Sequence, residues 1–476
     1  MPGIVGIIGT GSFVEKTFAI RRMLERMMHE PFYTSGTYFN EQLGLCVGWV
    51  CHSGAFSDCM PVWNETNDVC LIFSGENFAD QSEIDQLRAQ GHQFDPKTAS
   101  YIVHLYEELG LKFIEKLNGW FSGVLVDLRE KKSILFNDRY GLSRVYQHDA
   151  EHGFYFASEA KALLRVLPEL RQLNLTSLGE FFSCGCPLQN KTLFSGISLF
   201  PAGSAWTFFP LQSTRKEKYF KREVWENQEP LSSIEYYEKL KETWVRILPR
   251  YFRGNEQVAV SLTGGKDSRM IMAWTQSSPG SLPCYTFGGM FRDCEDVKLA
   301  RLVAKICRQP HQVIPVGKDF LSQFSTLAEK TVYFTDGAMD VSGASDLFVN
   351  RIVRQIAPVR MTGNYGQEIL RGAIAFKPIS LHRGLFEQEF DGLVQTAVQT
   401  YSSEYTGNRL SFVAFKQVPW HHYSRLSLEQ SQLTLRSPYL DNDLVSLAFQ
   451  TPAELAMSIE PQMRLIIDGN PAVGKI

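Results

Sequence analysis

The chain has 476 residues, more than one hydrophobic core normally supports, so two or more domains are expected. Hydrophobic residues make up 44% and charged residues 21%, a balance that excludes a disordered or collagen-like polypeptide. With 48 basic and 51 acidic residues the formal charge is −3, which offers no basic field for nucleic acid or an anionic membrane surface.

No run of about eighteen apolar residues is present to span a bilayer. The opening Met1-Pro2-Gly3-Ile4-Val5-Gly6 lacks the basic stretch and apolar core of a secretion signal, so a cytoplasmic protein is expected. The nine cysteines are odd in number and scattered, which argues against a disulfide framework. Cys46, Cys51, His52 and Cys59 contain metal-ligand types, but no second knuckle follows them, and buried free thiols are the simpler expectation.

In chain order, the first 210 or so residues read as short strands separated by turns. Ile4–Ile8 and Val69–Phe73 are apolar runs ended by glycine turns, and Phe121–Val126 with Ser133–Phe136 flank a charged turn. Amphipathic stretches at Lys16–Met28 and Thr98–Leu117 predict helices, giving a layered domain of mixed strands and helices. The polar segment Gln212–Glu217 is expected to begin a linker, dividing the chain into domains at 1–215 and 225–476. Ser233–Leu248 then has helical periodicity. Beyond it come strand Val258–Leu262, helix Met270–Thr275, strand Cys284–Phe287, helix Glu295–Cys307 and strands at Gln312–Val316 and Pro358–Met361. Such alternation predicts a parallel sheet covered on both faces, with ligands beyond the carboxyl ends of its strands.

Thr263-Gly264-Gly265-Lys266-Asp267-Ser268 lies at such an end. Glycines let the backbone turn tightly and approach a ligand, and amides at the helix start face an anion. Thr263 and Ser268 add hydroxyls, and Asp267 is a carboxylate suited to magnesium on phosphate oxygens. The Gly-x-x-x-x-Gly-Lys spacing of a Walker loop is absent.

Leu262-Thr263-Gly264-Gly265-Lys266-Asp267-Ser268 resembles the pyrophosphate loop of ATP pyrophosphatases, with Thr263 in place of its first serine. Phe73-Ser74-Gly75-Glu76-Asn77, Leu117-Asn118-Gly119-Trp120-Phe121-Ser122, Asp138-Arg139-Tyr140-Gly141-Leu142, Phe156–Leu163 and Thr192–Gly203 resemble, in order, segments of class II glutamine amidotransferases. Together they resemble the asparagine synthetase family. The resemblance implies an α/β protein: an N-terminal α+β sandwich of Ntn-hydrolase type and a C-terminal parallel-sheet domain of the adenine-nucleotide α-hydrolase-like kind. It implies ATP and Mg2+ as cofactors. It places Leu262, Thr263, Gly264, Gly265, Lys266, Asp267, Ser268 and Gly363 at the nucleotide.

Departures from the family pattern bear on function. Pro2 stands where the family's nucleophilic cysteine would be, Ser74-Gly75 where an Asn-Gly pair shapes the oxyanion hole, and His29-Glu30-Pro31-Phe32 where an arginine binds glutamine. Nucleophile, oxyanion donor and substrate clamp are all altered, so a silent glutaminase kept as a scaffold is expected.

Thr362-Gly363-Asn364-Tyr365-Gly366-Gln367-Glu368 resembles the family's second acidic segment in two alignments. One puts Asn364 and Gln367 at the acidic positions. The other, with one inserted residue, puts Glu368 at the metal position and Tyr365 in place of a glutamate. Magnesium prefers anionic oxygen, which favours Asp267 and Glu368 as its ligands. β-Lactam synthetases carry tyrosine at the equivalent of Tyr365, where it takes a proton from an attacking amine. A phenol needs a carboxylate neighbour for that role, and Glu387 or Glu389 is a candidate.

The resemblance also draws in Asp336-Gly337, near the substrate or merely in a turn, and Arg436–Asp441, where Arg436 joins Tyr365 and Glu368 in the catalytic set by ordering the site. Arg269 is expected to read an anionic group or to cap the loop, and His421-His422 to be structural. The basic segment that ends the family is not seen before Ile476. The expected activity is adenylation of a small-molecule or peptide carboxylate followed by capture by an amine. A cyclase of β-lactam-synthetase or lasso-peptide type, an ammonia-dependent asparagine synthetase and a non-catalytic nucleotide-binding homologue remain in contention. No nucleic-acid or membrane partner is expected, and a homo-oligomer is left open.

Overall fold

The computed structural model describes residues 1–210, 212–289, 293–379, 381–382 and 384–476. The N-terminal part carries β1 (Gly3–Ile8), β2 (Tyr33–Asn40), β3 (Leu45–His52), β4 (Val62–Trp63), β5 (Val69–Gly75), β6 (Phe121–Asp127), β7 (Lys132–Asn137), β8 (Tyr146–Ala150), β9 (Gly153–Ala157), β10 (Ser198–Leu199), β11 (Ser204–Phe208) and β12 (Arg215–Lys218). They form two antiparallel six-stranded sheets in the orders β10-β8-β9-β1-β3-β2 and β12-β11-β7-β6-β5-β4.

Strands β1, β3, β6 and β7 are buried along their whole length because both sheet faces are covered there. On β1, Ile4 and Ile8 enter the core between the sheets, whereas Val5 and Ile7 pack toward the helix Phe13–Met27. On β5, Cys70 and Ile72 face the same inter-sheet core, while Val69, Leu71 and Phe73 join Ile84, Leu87 and Ile102 of the covering helices. Two-residue periodicity thus distributes one apolar run between two cores, and the result is a helix–sheet–sheet–helix sandwich.

Two expectations are corrected here. Gln212–Glu217 is not simply linker, because Arg215–Lys218 pairs with β11 as an edge strand. Thr98–Leu117 is not one helix: it divides into short helical pieces around Ile102–Leu109 and Phe113–Lys116. The break falls at Gly110, whose φ of 56° ends the first α-helical segment.

The C-terminal part has β13 (Val258–Ser261), β14 (Cys284–Gly288), β15 (His311–Pro315), β16 (Val359–Thr362) and β17 (Thr434–Arg436) in one parallel sheet of order β15-β14-β13-β16-β17. Val258 and Val260 face one core with Met270, Ala300 and Val303, while Ala259 faces another with Leu327, Leu347 and Val353. From β13 the chain crosses to β14 on one side, and β16 pairs with β13 on the other. The loops after β13 and β16 therefore part at a topological switch point. Among the described residues, no helix is long and apolar enough to cross a membrane.

Candidate active site

A cavity of about 650 Å³ opens at that switch point. Of the sequence-predicted residues, Thr263, Gly265, Asp267, Ser268, Gly363, Tyr365 and Glu368 line it. The helix after β13 starts earlier than its periodicity suggests, at Lys266, so Lys266, Asp267 and Ser268 form its first turn rather than a loop. Gly265 at the N-cap supplies no capping side chain, which leaves the first-turn amides for an anion. The loop is held by its own hydroxyls: Ser268 Oγ donates to the Thr263 carbonyl at 3.0 Å and accepts from the Thr263 N–H at 3.2 Å. The Gly264 N–H is engaged by Asp296 Oδ1 at 3.0 Å.

The second loop closes directly onto the first. A Cβ on Gly363 would lie 2.8 Å from the Ser268 nitrogen, and one on Gly366 would lie 2.4 Å from Asp267 Cγ. These two glycines bring Asp267 and Glu368 together. Burial pushes both carboxyls upward, Glu368 to about 7, and the Asp267 charge pushes Glu368 further in that direction. Asp267 Oδ1 accepts from Gln462 Nε2 at 2.6 Å. Two adjacent, partly desolvated carboxylates beside an uncapped helix start are a donor set that fits magnesium.

Tyr365 occupies the left-handed region at φ 72° and is buried, its ring edge-on to Trp120 at 5.9 Å and stacked on His422 at 6.0 Å. Burial raises its phenol above the usual range. Glu429 and Glu368 add to that shift, and Arg360 opposes it. Arg360 pairs with Glu429 at 2.9 Å, and both line the cavity. The expected carboxylate neighbours are therefore corrected: Glu387 and Glu389 are exposed at the start of helix Gln388–Glu404, and the carboxylates whose charge acts on Tyr365 are Glu429 and Glu368.

The other expected residues divide between the cavity and its surroundings. Arg436 does not line the cavity; it binds Glu76 of the N-terminal domain. Leu262 is fully buried beneath the loop, and neither Gly264 nor Lys266 lines the cavity. Arg269 is buried with Nε and Nη1 unpartnered and does not reach the cavity. Asp336 accepts from the Ala160 and Lys161 amides at 2.7 and 3.2 Å and so caps a helix of the other domain. His421 and His422, read as structural, both line the cavity, and burial lowers His422 to about 4. Gln462, Asn350 and Asp346 carried no motif that marked them.

The N-terminal pocket is small, about 80 Å³, and its lining includes Pro2, Ser74 and Gly75. His29 and Glu30 are used in the joint with the second domain. His29 Nε2 lies 2.8 Å from Glu159 and its ring stacks on Phe334 at 4.7 Å, while Glu30 accepts from Gln432 at 3.0 Å. Cys51 contacts Thr34 and Asp58, and no metal-ligand cluster forms there among the described residues.

Residues 1–220 match the family model described as a glutamine amidotransferase domain, and residues 241–434 match that described as asparagine synthase. The chain belongs to the asparagine synthetase family. Asparagine synthetase [glutamine-hydrolyzing] 2 of Bacillus subtilis is 28% identical over 284 residues, covering 55% of this chain and 37% of the relative. The asparagine synthetase of Zea mays is 32% identical over 169 residues, covering 34% and 28%. Asparagine synthetase 1 of Bacillus subtilis is 20% identical over 389 residues, covering 80% and 60%. The chain thus spans 28% to 60% of the length of these family members.

Proposed function

We propose that the protein is an ATP-dependent, AMP-forming amide ligase whose N-terminal domain is a scaffold without glutaminase activity. The observation that carries this reading is the junction of Asp267 and Glu368 at an uncapped helix start. Thr263, Ser268 and the amides of Lys266–Ser268 bind the pyrophosphate end of ATP. Asp267 and Glu368 would hold a magnesium ion, which would supply countercharge to the phosphate oxygens.

A substrate carboxylate oxygen then attacks the α-phosphorus, and the bond to pyrophosphate breaks. An amine nitrogen attacks the resulting acyl carbon, the bond to AMP breaks, and the amine loses a proton. The neutral Tyr365 phenol takes that proton only as its own moves to a carboxylate, and we assign that role to Glu429, whose charge acts on the phenol. Arg360 holds Glu429 through their 2.9 Å ion pair.

An amine within the substrate, making the enzyme a cyclase, is the first reading, supported by Tyr365 at the cavity and by the small N-terminal pocket. That volume is well below the roughly 300–1,000 Å³ of most small-molecule sites. Free ammonia as acceptor is the second reading, supported by the relatives, which are named as asparagine synthetases. The test follows pyrophosphate and amide formation with ATP, magnesium and candidate acids in the wild type and in Tyr365→Phe. A cyclase keeps adenylation and loses amide formation in the variant. Asparagine formation from ammonia that survives the change overturns the cyclase reading. No pyrophosphate release with any acid, and no ATP-induced thermal shift, overturns the ligase itself.

A further inference from the structure

The N-terminal domain gathers four metal-ligand side chains from three separate elements, away from the synthetase cavity. Glu65 lies in the turn between β4 and β5, His92 in the loop after helix Gln81–Ala89, and His104 and Glu107 on helix Ile102–Leu109. One ligand atom from each lies within 4.8 Å of all the others. Both imidazoles present Nδ1 to the same two carboxylates. His92 Nδ1 is 3.3 Å from Glu65 and 3.9 Å from Glu107; His104 Nδ1 is 3.3 Å from Glu65 and 2.9 Å from Glu107. A tetrahedral zinc ion with bonds of about 2.0–2.1 Å sets its ligand atoms roughly 3.3–3.4 Å apart; both imidazoles reach Glu107 Oε2 at 3.9 and 2.9 Å, while Glu65 turns one oxygen to each of them at 3.3 Å, so the carboxylate needs only a small rotation to present one atom.

The surroundings are those of a built site. His92 Nε2 is held by Glu108 at 3.0 Å, and Glu108 accepts in turn from Gln90 at 2.5 Å. Glu107 accepts from Asn64 Nδ2 at 2.7 Å through its other oxygen. A carboxylate on the far nitrogen of a ligating histidine, and a donor on the far oxygen of a ligating carboxylate, fix tautomer and orientation. The His104 side chain is only 3% exposed. The two imidazole rings stack at 4.5 Å with 27° between their planes, an arrangement that two positive rings would oppose. Two neutral imidazoles and two carboxylates balance a dication with no net charge.

We propose that Glu65, His92, His104 and Glu107 form a binding site for one divalent transition metal, with zinc the best fit to this nitrogen–oxygen donor set. Four protein ligands close the coordination sphere, so the role is structural. The metal ties the β4–β5 turn to the helix that covers the outer face of the second sheet, strengthening the domain that holds the synthetase joint.

The test uses full-length, tag-free protein stripped with a chelator and titrated with Zn2+, and separately with Co2+ as a spectroscopic probe. One metal per chain is expected, with the intense visible bands of tetrahedral cobalt and a raised Tm. Because His104 is buried, the diagnostic variants are His92→Gln and Glu65→Gln, checked for native fold by circular dichroism. Both should lose stoichiometric uptake, and Glu108→Gln should weaken affinity about tenfold to a hundredfold. No uptake by the wild type, or equal uptake by His92→Gln, would overturn the site and leave a hydrogen-bonded His–Glu cluster; an octahedral cobalt spectrum would overturn the closed four-ligand shell and with it the structural role.

Discussion

Arg436 on β17 donates through Nε to both carboxylate oxygens of Glu76, at 3.0 and 2.8 Å, and this pair joins the parallel sheet to the N-terminal sandwich just past β5. Nη1 donates to the carbonyls of Tyr251 and Arg253 at 3.1 and 2.6 Å, so the buried guanidinium is well satisfied. Removing one partner of such a pair strands the other charge. Glu76→Ala and Arg436→Ala should each destabilise the protein by about 3–5 kcal/mol in urea unfolding, whereas replacing both with Met should recover much of the loss. A Glu76→Ala midpoint equal to wild type would refute this.

Near that pair, both carboxylate oxygens of Glu256 are buried without a hydrogen-bond partner. Burial, helped by the Glu76 charge, pushes its carboxyl up to about 7. The folded state therefore holds a proton that the unfolded state has released between about pH 4.5 and 7, and this contribution to stability is lost as pH rises through that window. Glu256→Gln should flatten the fall in Tm over those pH values. It should also stabilise the protein at pH 8 by on the order of 1–2 kcal/mol, after allowance for partial solvent screening. An unchanged pH profile would show that Glu256 is not responsible.

The carboxylates at the switch point oppose stability in the absence of a cation. Asp267→Asn and Glu368→Gln are each expected to raise Tm in chelator while lowering pyrophosphate release by at least about a hundredfold. Calorimetry beside a pyrophosphate assay checks both halves. A drop in Tm with activity intact would remove these residues from the site.

Glycine at 366 is required by close approach. Gly366→Ala places a methyl 2.4 Å from Asp267 Cγ and should cost about 1–3 kcal/mol as well as ATP turnover. Gly392, in helix Gln388–Glu404, meets nothing within 4 Å, so Gly392→Ala should instead gain about 0.4–1 kcal/mol. Equal effects of the two substitutions on thermal unfolding would refute the steric argument.

Much of the architecture is legible locally. Val69–Phe73 and Val258–Leu262 read as buried strands because covered sheets demand apolar residues on both faces, and Thr263–Ser268 reads as an anion loop because glycines and hydroxyls mark a strand-to-helix turn. Arg215–Lys218 misleads for a related reason: an exposed edge strand carries no apolar alternation and looks like linker.

The amino-acid order alone determined the buried strands of both parts and the glycine- and hydroxyl-rich turn that follows β13. The tertiary structure decided which distant side chains come together: Asp267 near Glu368, Tyr365 with His422, Arg436 with Glu76, and His92 with His104. Periodicity and turn chemistry act over a few residues and leave a local trace. Side-chain partnership depends on which strands lie side by side, and the order β15-β14-β13-β16-β17 places the loop after β13 against the loop after β16 without any sign in either segment.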